Sequence, residues 1–226
     1  MKNYYADKLS SGRLKQVYEI APLRIRQYLE TELNYVLQKV SRDDIVLELG
    51  CGYGRIFPEL SLKVKSVAGI DIAMNSLILG KELCSDFSNC FFIQMDAVKL
   101  AFLHHSFDKV LCIQNGISAF HVNQKELILE CVRITKPGGT IFFSSYSDKI
   151  WNDRLEWFEL QSEAGLLGEI DYNKTGNGII VCKDGFTATT MDAGHFNKLT
   201  SNIEDITVIT EEVDESSIFF NVHCSK

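Results

Sequence analysis

At 226 residues, with 46% hydrophobic and 23% charged side chains, the chain has the balance of a soluble globular protein with enough apolar mass for one sizeable core. Its formal net charge of −7 disfavours a surface built to neutralise nucleic-acid phosphates, although the segment through Val40 is mildly basic. No stretch approaches the ~20 apolar residues of a membrane span, and the start "MKNYYADKLSSGRLK" lacks the apolar run of a leader. The seven cysteines are scattered and nowhere closer than six residues apart, so they offer neither a disulfide framework nor a zinc spacing. No metal is expected, and a reducing cytoplasm is the natural compartment.

In chain order, the first clear element runs from Pro22 to Val40, where Leu29, Leu33, Val36, Leu37 and Val40 share one helical face and Pro22 suits a first helical turn. "DIVLEL" reads as a buried strand, followed by a glycine loop and a short helix that tolerates Pro58 only near its start. "VKSVAGID", "CFFIQMDA" and "FDKVLCIQ" read as the second to fourth strands, with the helix "MNSLILGKELCSDF" between the first two of these. Asn123 and Glu126 have capping spacing for a helix that carries Leu127, Cys131 and Ile134 on one face and stops at "KPGG". "TIFFSSY" is the fifth strand. Alternating strands and helices imply a doubly wound α/β fold, a mostly parallel sheet with helices on both faces.

Residues 148–190 exceed what plain alternation requires and read as an insertion after the fifth strand. It holds the helical stretch "WNDRLEWFEL" and a hairpin, "IIVCKDGFTATT", turning at "KDG". A helix "DAGHFNKLTSNI" capped by Asp192 follows, and "DITVITEEV" and "SSIFFNVHC" form an antiparallel pair joined near Asp214 and Glu215. No repeat, low-complexity tract or linker divides the chain, so a single domain over 1–226 is expected.

The chemistry concentrates in "VLELGCGYGR". Gly50, Gly52 and Gly54 permit a tight turn and a close backbone approach to a ligand, and Asp71 lies about twenty positions on, where an acid would bind a ribose. A nicotinamide or flavin dinucleotide is the obvious candidate. Glu48 argues against it, because a carboxylate just before the first glycine would face a pyrophosphate at a Coulomb cost of a few kcal/mol at an effective dielectric of ~20. A cationic ligand suits that position. Asp96 ends the third strand as Asp71 ends the second, so three acids face one crevice at the carboxyl edge of the sheet. S-adenosylmethionine accounts for all three: an ammonium, two ribose hydroxyls and an adenine amine, with no phosphate.

The chain thus resembles the class I S-adenosylmethionine-dependent methyltransferases. "VLELGCGYGR", "VAGIDIA", "FFIQMDAVKLAFLHHSFDKVLCIQNGI" and "RITKPGGTIFFSSY" stand in order and at family spacing, over about Ile45 to Tyr146. The resemblance implies a Rossmann-like methyltransferase fold, a seven-stranded sheet with the last strand antiparallel. It implies that Glu48, Gly50, Gly52 and Gly54 line the methionine moiety with Cys51 and Arg55 of the same loop, that Asp71 holds ribose, that Ile72 packs on adenine, and that Asp96 and Ala97 read the adenine edge. Gln114 and Asn115 should border the transferred methyl.

In this family the N-terminal segment often folds over the cofactor, so residues 1–40 are expected to form a helical lid and 148–190 a substrate cover. Tyr5, Tyr18, Arg26, His121 and Trp151 are the candidates for acceptor contacts. His121 would serve as a base only for an acceptor that needs one, and the aromatic residues have packing as their alternative. Methyl transfer needs no dedicated catalytic side chain, and none is assigned. The expected acceptor is a small molecule through N or O. "QNGI" after the fourth strand lacks the Asp/Asn-Pro-Pro-aromatic turn of exocyclic-amine nucleic-acid methylation. The competing readings are an NAD(P)-dependent oxidoreductase and a noncatalytic cofactor-binding protein of the same fold.

Overall fold

A computed structural model describes Tyr4 and residues 8–225. Seven strands form one sheet: β1 (Ile45–Leu49), β2 (Ser66–Asp71), β3 (Cys90–Gln94), β4 (Phe107–Cys112), β5 (Thr135–Tyr146), and, at the end of the chain, Ile206–Val213 and Ser217–Cys224. A two-stranded hairpin, β6 (Ile180–Val181) and β7 (Thr187–Ala188), stands apart, so the last two strands of the sheet are β8 and β9. The order across the sheet is β3-β2-β1-β4-β5-β9-β8. β1 to β5 pair in parallel, and β9 lies antiparallel to both β5 and β8. β1 and β4 are neighbours although β2 and β3 separate them in sequence, so the chain reverses direction across the sheet at that pair. A crevice at the carboxyl ends of β1 and β4 follows, where open α/β sheets bind their ligands.

The helices are α1 (Gly12–Glu19), α2 (Leu23–Leu37), α3 (Phe57–Ser61), α4 (Met74–Leu83), α5 (Gly116–Ala119), α6 (Gln124–Ile134), α7 (Trp151–Glu163) and α8 (Ala193–Thr200). The expected caps are in place: the Asn123 side chain accepts from the amides of Lys125 and Glu126, and Asp192 accepts from that of His195. "KPGG" ends α6 as expected, but β5 already begins at Thr135 and carries those residues, with a register shift against β4 between Phe107 and Lys109. α1 and α5 are only eight and four residues long, too short to hold as helices by themselves. Tertiary packing holds them.

Three apolar clusters follow from this layout. One face of the sheet packs on α6 and α8 through Leu127, Ile128, Cys131 and Phe196. The other packs on the end of α2, on α3 and on α4, and there the Tyr35 ring stacks on Phe219 at 4.1 Å. The third cluster sits over the carboxyl edge and is made by α1, the start of α2, α7 and the β6–β7 hairpin, through Val17, Ile25, Tyr28, Trp157, Phe158 and Phe186. Among the described residues no helix is long and apolar enough to cross a membrane.

Candidate functional site

β1 ends in Leu49 and the chain turns through Gly50 and Gly52 with φ of 69° and 54°, a conformation that glycine adopts without a Cβ penalty. Both positions are also crowded. A Cβ on Gly50 would run into the Phe120 ring, and one on Gly52 would stand 2.7 Å from Leu14 Cδ2 of α1. The glycine loop therefore lies directly beneath α1 and α5. Between them is a cavity of about 260 Å³.

Glu48 lines this cavity, is 8% exposed, and its Oε2 is buried without a hydrogen-bond partner. Burial pushes its carboxyl up to about 8; nearby Arg55 pulls it down and Asp71 pushes it further up. An unpartnered buried carboxylate is costly, and a cationic hydrogen-bond donor placed in the cavity would relieve that cost. Asp71, at the end of β2, holds the loop: Oδ2 accepts from the Gly52 amide at 2.9 Å and Oδ1 from the Ala73 amide at 2.7 Å. Burial raises its pKa, and these amides oppose the shift. Each oxygen keeps a second lone pair for a ligand. Asp96 also lines the cavity, is exposed, and accepts from the Val98 amide at 3.1 Å.

The turn after β4 carries two consecutive non-glycine residues in the left-handed region, Gln114 (φ 53°) and Asn115 (φ 61°). Such residues cost about 1–3 kcal/mol each and persist only where the surroundings hold them. Here the Gln114 amide nitrogen donates to Ser144 Oγ (2.8 Å) and to Glu32 Oε2 (3.1 Å), and the Asn115 amide donates to Ser144 O at 3.1 Å. Glu32 is wholly buried on α2, and its other oxygen accepts from Ser217 Oγ at 2.7 Å. Burial raises its pKa, opposed by these hydroxyl donors. The turn aims the Gln114 side chain into the cavity. With its carboxamide oxygen toward Arg55 it accepts from the guanidinium, while its nitrogen stands 2.8 Å from the Tyr18 hydroxyl. The Arg55 guanidinium in turn lies 5.1 Å from the centre of the Tyr18 ring.

The opposite wall comes from the third apolar cluster: Val17 and Tyr18 near the end of α1, Leu29 of α2, Tyr146 at the end of β5, and Trp157, Phe158 and Gln161 of α7. Trp157 Nε1 donates to Val17 O at 2.9 Å and ties α7 to α1.

Residues 46–139 match a family model described as a methyltransferase domain. A ubiquinone biosynthesis O-methyltransferase of Vibrio cholerae is 28% identical over 144 residues, 62% of this chain and 54% of the relative. Over this central segment the chain is similar to the class I S-adenosylmethionine-dependent methyltransferases. It spans about half the length of the curated relatives it matches. Among solved structures, a Pyrococcus horikoshii OT3 protein is similar in fold at 22% identity with TM-score 0.65, over 99% of each chain. The N-methyltransferase NodS of Bradyrhizobium japonicum WM9, solved with S-adenosyl-L-homocysteine, is similar at 15% identity with TM-score 0.64, over the full length of both chains.

Against the methyltransferase pattern, the structure places Glu48, Gly50, Cys51, Gly52, Arg55, Asp71, Ile72, Asp96, Ala97 and Gln114 around one cavity. Gly54 and Asn115 do not line it. Gly54 packs against Phe92 and Phe57. The Asn115 side chain turns away, donating to Thr189 O at 2.7 Å and accepting from Ser145 Oγ at 2.9 Å. Of the acceptor candidates among the described residues, only Tyr18 lines the cavity. Arg26 is exposed and bonds the carbonyls of Ala21 and Glu19, closing the end of α1. His121 is exposed, with φ 53°. Trp151 packs at the edge of the third cluster. Tyr5 lies outside the described residues.

Of the two tryptophans that the sequence offers as core packing or an aromatic wall, Trp157 rather than the chosen Trp151 lines the cavity, and helical phase is the signal that separates them. Arg154, Trp157, Phe158 and Gln161 are the buried face of α7, whereas Trp151, six positions from Trp157, falls about a third of a turn away. Tyr146 and Leu29 carry no comparable signal, because only the tertiary fold brings their segments to the site.

Proposed function

We propose that the protein transfers a methyl group from S-adenosylmethionine to a small-molecule acceptor through nitrogen or oxygen. The observation that carries this reading is the buried Glu48 carboxyl group, its Oε2 without a partner, facing a cavity whose floor also presents Asp71 and Asp96. A phosphate-bearing dinucleotide would set like charges against Glu48. The donor's ammonium would supply the missing partner. Support also comes from the names of the relatives, which include O- and N-methyltransferases.

S-adenosylmethionine would supply an electrophilic methyl on a sulfonium, a centre open to in-line attack. Glu48 would take the ammonium, Asp71 the ribose hydroxyls through the lone pairs its backbone donors leave free, and Asp96 with Ile72 and Ala97 the adenine. Arg55, supported by Gln114 and Tyr18, is positioned for the donor's carboxylate. Holding the donor against the glycine loop and covering the cavity with α1 and α7 would align attack and exclude water. Residues through Val40 and the 148–190 insertion would then act as lid and acceptor cover. The seven free cysteines, all but Cys90 buried, fit a reducing cytoplasm.

Calorimetry tests this reading. S-adenosylhomocysteine should bind, and neither nicotinamide dinucleotide should. Binding of a nicotinamide cofactor with no affinity for S-adenosylhomocysteine would reject it.

A further inference from the structure

We propose that the acceptor is a flat, uncharged aromatic molecule carrying a ring hydroxyl or ring amine, seated against Trp157 in the wall that α1, α2 and α7 raise over the glycine loop; this rests on reading the cavity as the methyl-donor site. The charged side chains that line the cavity are Glu48, Arg55, Asp71 and Asp96, and all four belong to the floor. Among the described residues, the facing wall presents none.

Charged groups lie just behind that wall, but they are engaged elsewhere. Glu32 is held by Ser217 and the Gln114 amide. Arg154 is wholly buried, donates to the carbonyls of Gly178 and Ala188, stacks its guanidinium 4.4 Å from the Tyr146 ring centre, and does not line the cavity. Three of the wall's own polar groups are used in the same way. Trp157 Nε1 goes to Val17 O, the Tyr18 hydroxyl meets Gln114, and Gln161 Nε2 reaches Trp157 O at 3.2 Å. Beyond the neutral Gln161 carboxamide oxygen and Tyr146 hydroxyl, what the wall offers a guest is ring face and aliphatic surface.

Two consequences follow from elementary solvation. An acceptor bearing a phosphate, carboxylate or ammonium would lose its hydration against this wall and find no counter-charge. A planar ring would keep its low conformational entropy and gain edge or face contacts with Trp157, Phe158 and Tyr146. The transfer then balances simply. The lone pair of the ring oxygen or nitrogen forms the bond to the methyl carbon as the carbon–sulfur bond breaks, the electron pair of that bond stays on sulfur as a neutral thioether, and the acceptor's proton leaves to water.

The chain has two tryptophans, so Trp151→Phe leaves Trp157 as its only tryptophan emitter. Its fluorescence, followed with and without S-adenosylhomocysteine, should be quenched saturably by catechol, p-cresol or aniline and left unchanged by glycine, ethanolamine or glycerol phosphate. Labelled methyl from S-adenosylmethionine should appear on the ring compounds alone. Trp157→Leu should raise KM for a ring acceptor about tenfold while the S-adenosylhomocysteine Kd moves less than about twofold. Should that variant fail to fold, Phe158→Leu and the quenching of the Trp151→Phe chain carry the same test. Preferential methylation of a charged aliphatic compound, or saturable binding of one with no response to the rings, would overturn the proposal. Ring quenching that persists without any donor binding would uphold the aromatic subsite and sink the methyl-donor reading instead.

Discussion

The floor of the cavity presents Glu48, Arg55, Asp71 and Asp96 from the strand ends and the glycine loop, while the wall above it, from α1, α2 and α7, presents aromatic and aliphatic side chains and no charge among the described residues. The same contrast separates the two buried glutamates. Glu32, on the wall's helix α2, has both carboxylate oxygens hydrogen-bonded, whereas Glu48 on the floor keeps Oε2 without a partner. Both acids sit in low dielectric, and burial raises both pKa values. Only Glu48 leaves a buried carboxylate oxygen with no partner at all. The comparison teaches that burial alone does not mark a functional carboxylate; the missing partner does.

The largest effect should come from the satisfied acid. Glu32→Leu strands the Ser217 hydroxyl and weakens support for the strained Gln114 turn, so denaturant unfolding should report a loss of about 3 kcal/mol. A loss close to zero would end the contrast from the structural side. Glu48→Gln should leave the fold intact and weaken S-adenosylhomocysteine binding by about 2–3 kcal/mol, measured by calorimetry.

The two acids also differ in what pH should do. With the Glu48 carboxyl pushed up to about 8, the ligand-free protein keeps a proton there that the unfolded chain has already released. Stability from this group therefore falls as pH rises from the ordinary glutamate range toward about 8. A cationic ligand needs the carboxylate, so its affinity should rise with pH over the upper part of the same window, by at most about tenfold per pH unit, and level off above about 8. Glu48→Gln should flatten both profiles. A slope that survives this substitution would assign the proton elsewhere.

Asp71→Ala should cost donor affinity about 1.5–3 kcal/mol, and because the Gly52 and Ala73 amides lose their acceptor, the melting temperature should fall as well. An unchanged Kd in a folded variant would remove the ribose from Asp71. Asp96→Ala should cost only about 1 kcal/mol of affinity, since the carboxylate is exposed and screened by solvent.

The floor is legible in the order of residues along the chain. Asp71 closes β2, Glu48 stands one residue before the end of β1 and Asp96 two residues past the end of β3, and alternating strands and helices force those ends onto one edge of a parallel sheet. Local pattern and topology therefore suffice to bring Glu48, Asp71 and Asp96 together. The terminal β8–β9 hairpin and the helix caps at Asn123 and Asp192 are equally readable, because they rest on neighbours within a few residues. The wall is not readable in this way. Choosing Trp151, Arg26 and His121 as acceptor contacts follows residue type, whereas placement is decided by helix phase at Trp157, by the carbonyls that hold Arg26 outside, and by a turn that leaves His121 in solvent.

By itself, then, the sequence determined the parallel sheet and the acidic floor, since periodicity, glycine placement and strand-end carboxylates act over short separations. Only the tertiary structure decided which segments close over that floor, why Asn115 points away while Gln114 points in, and that Glu32 is satisfied where Glu48 is not. Those outcomes depend on contacts between residues far apart in the chain, such as Trp157 with Val17 and Glu32 with Ser217, and no local pattern encodes the partner of a buried polar group.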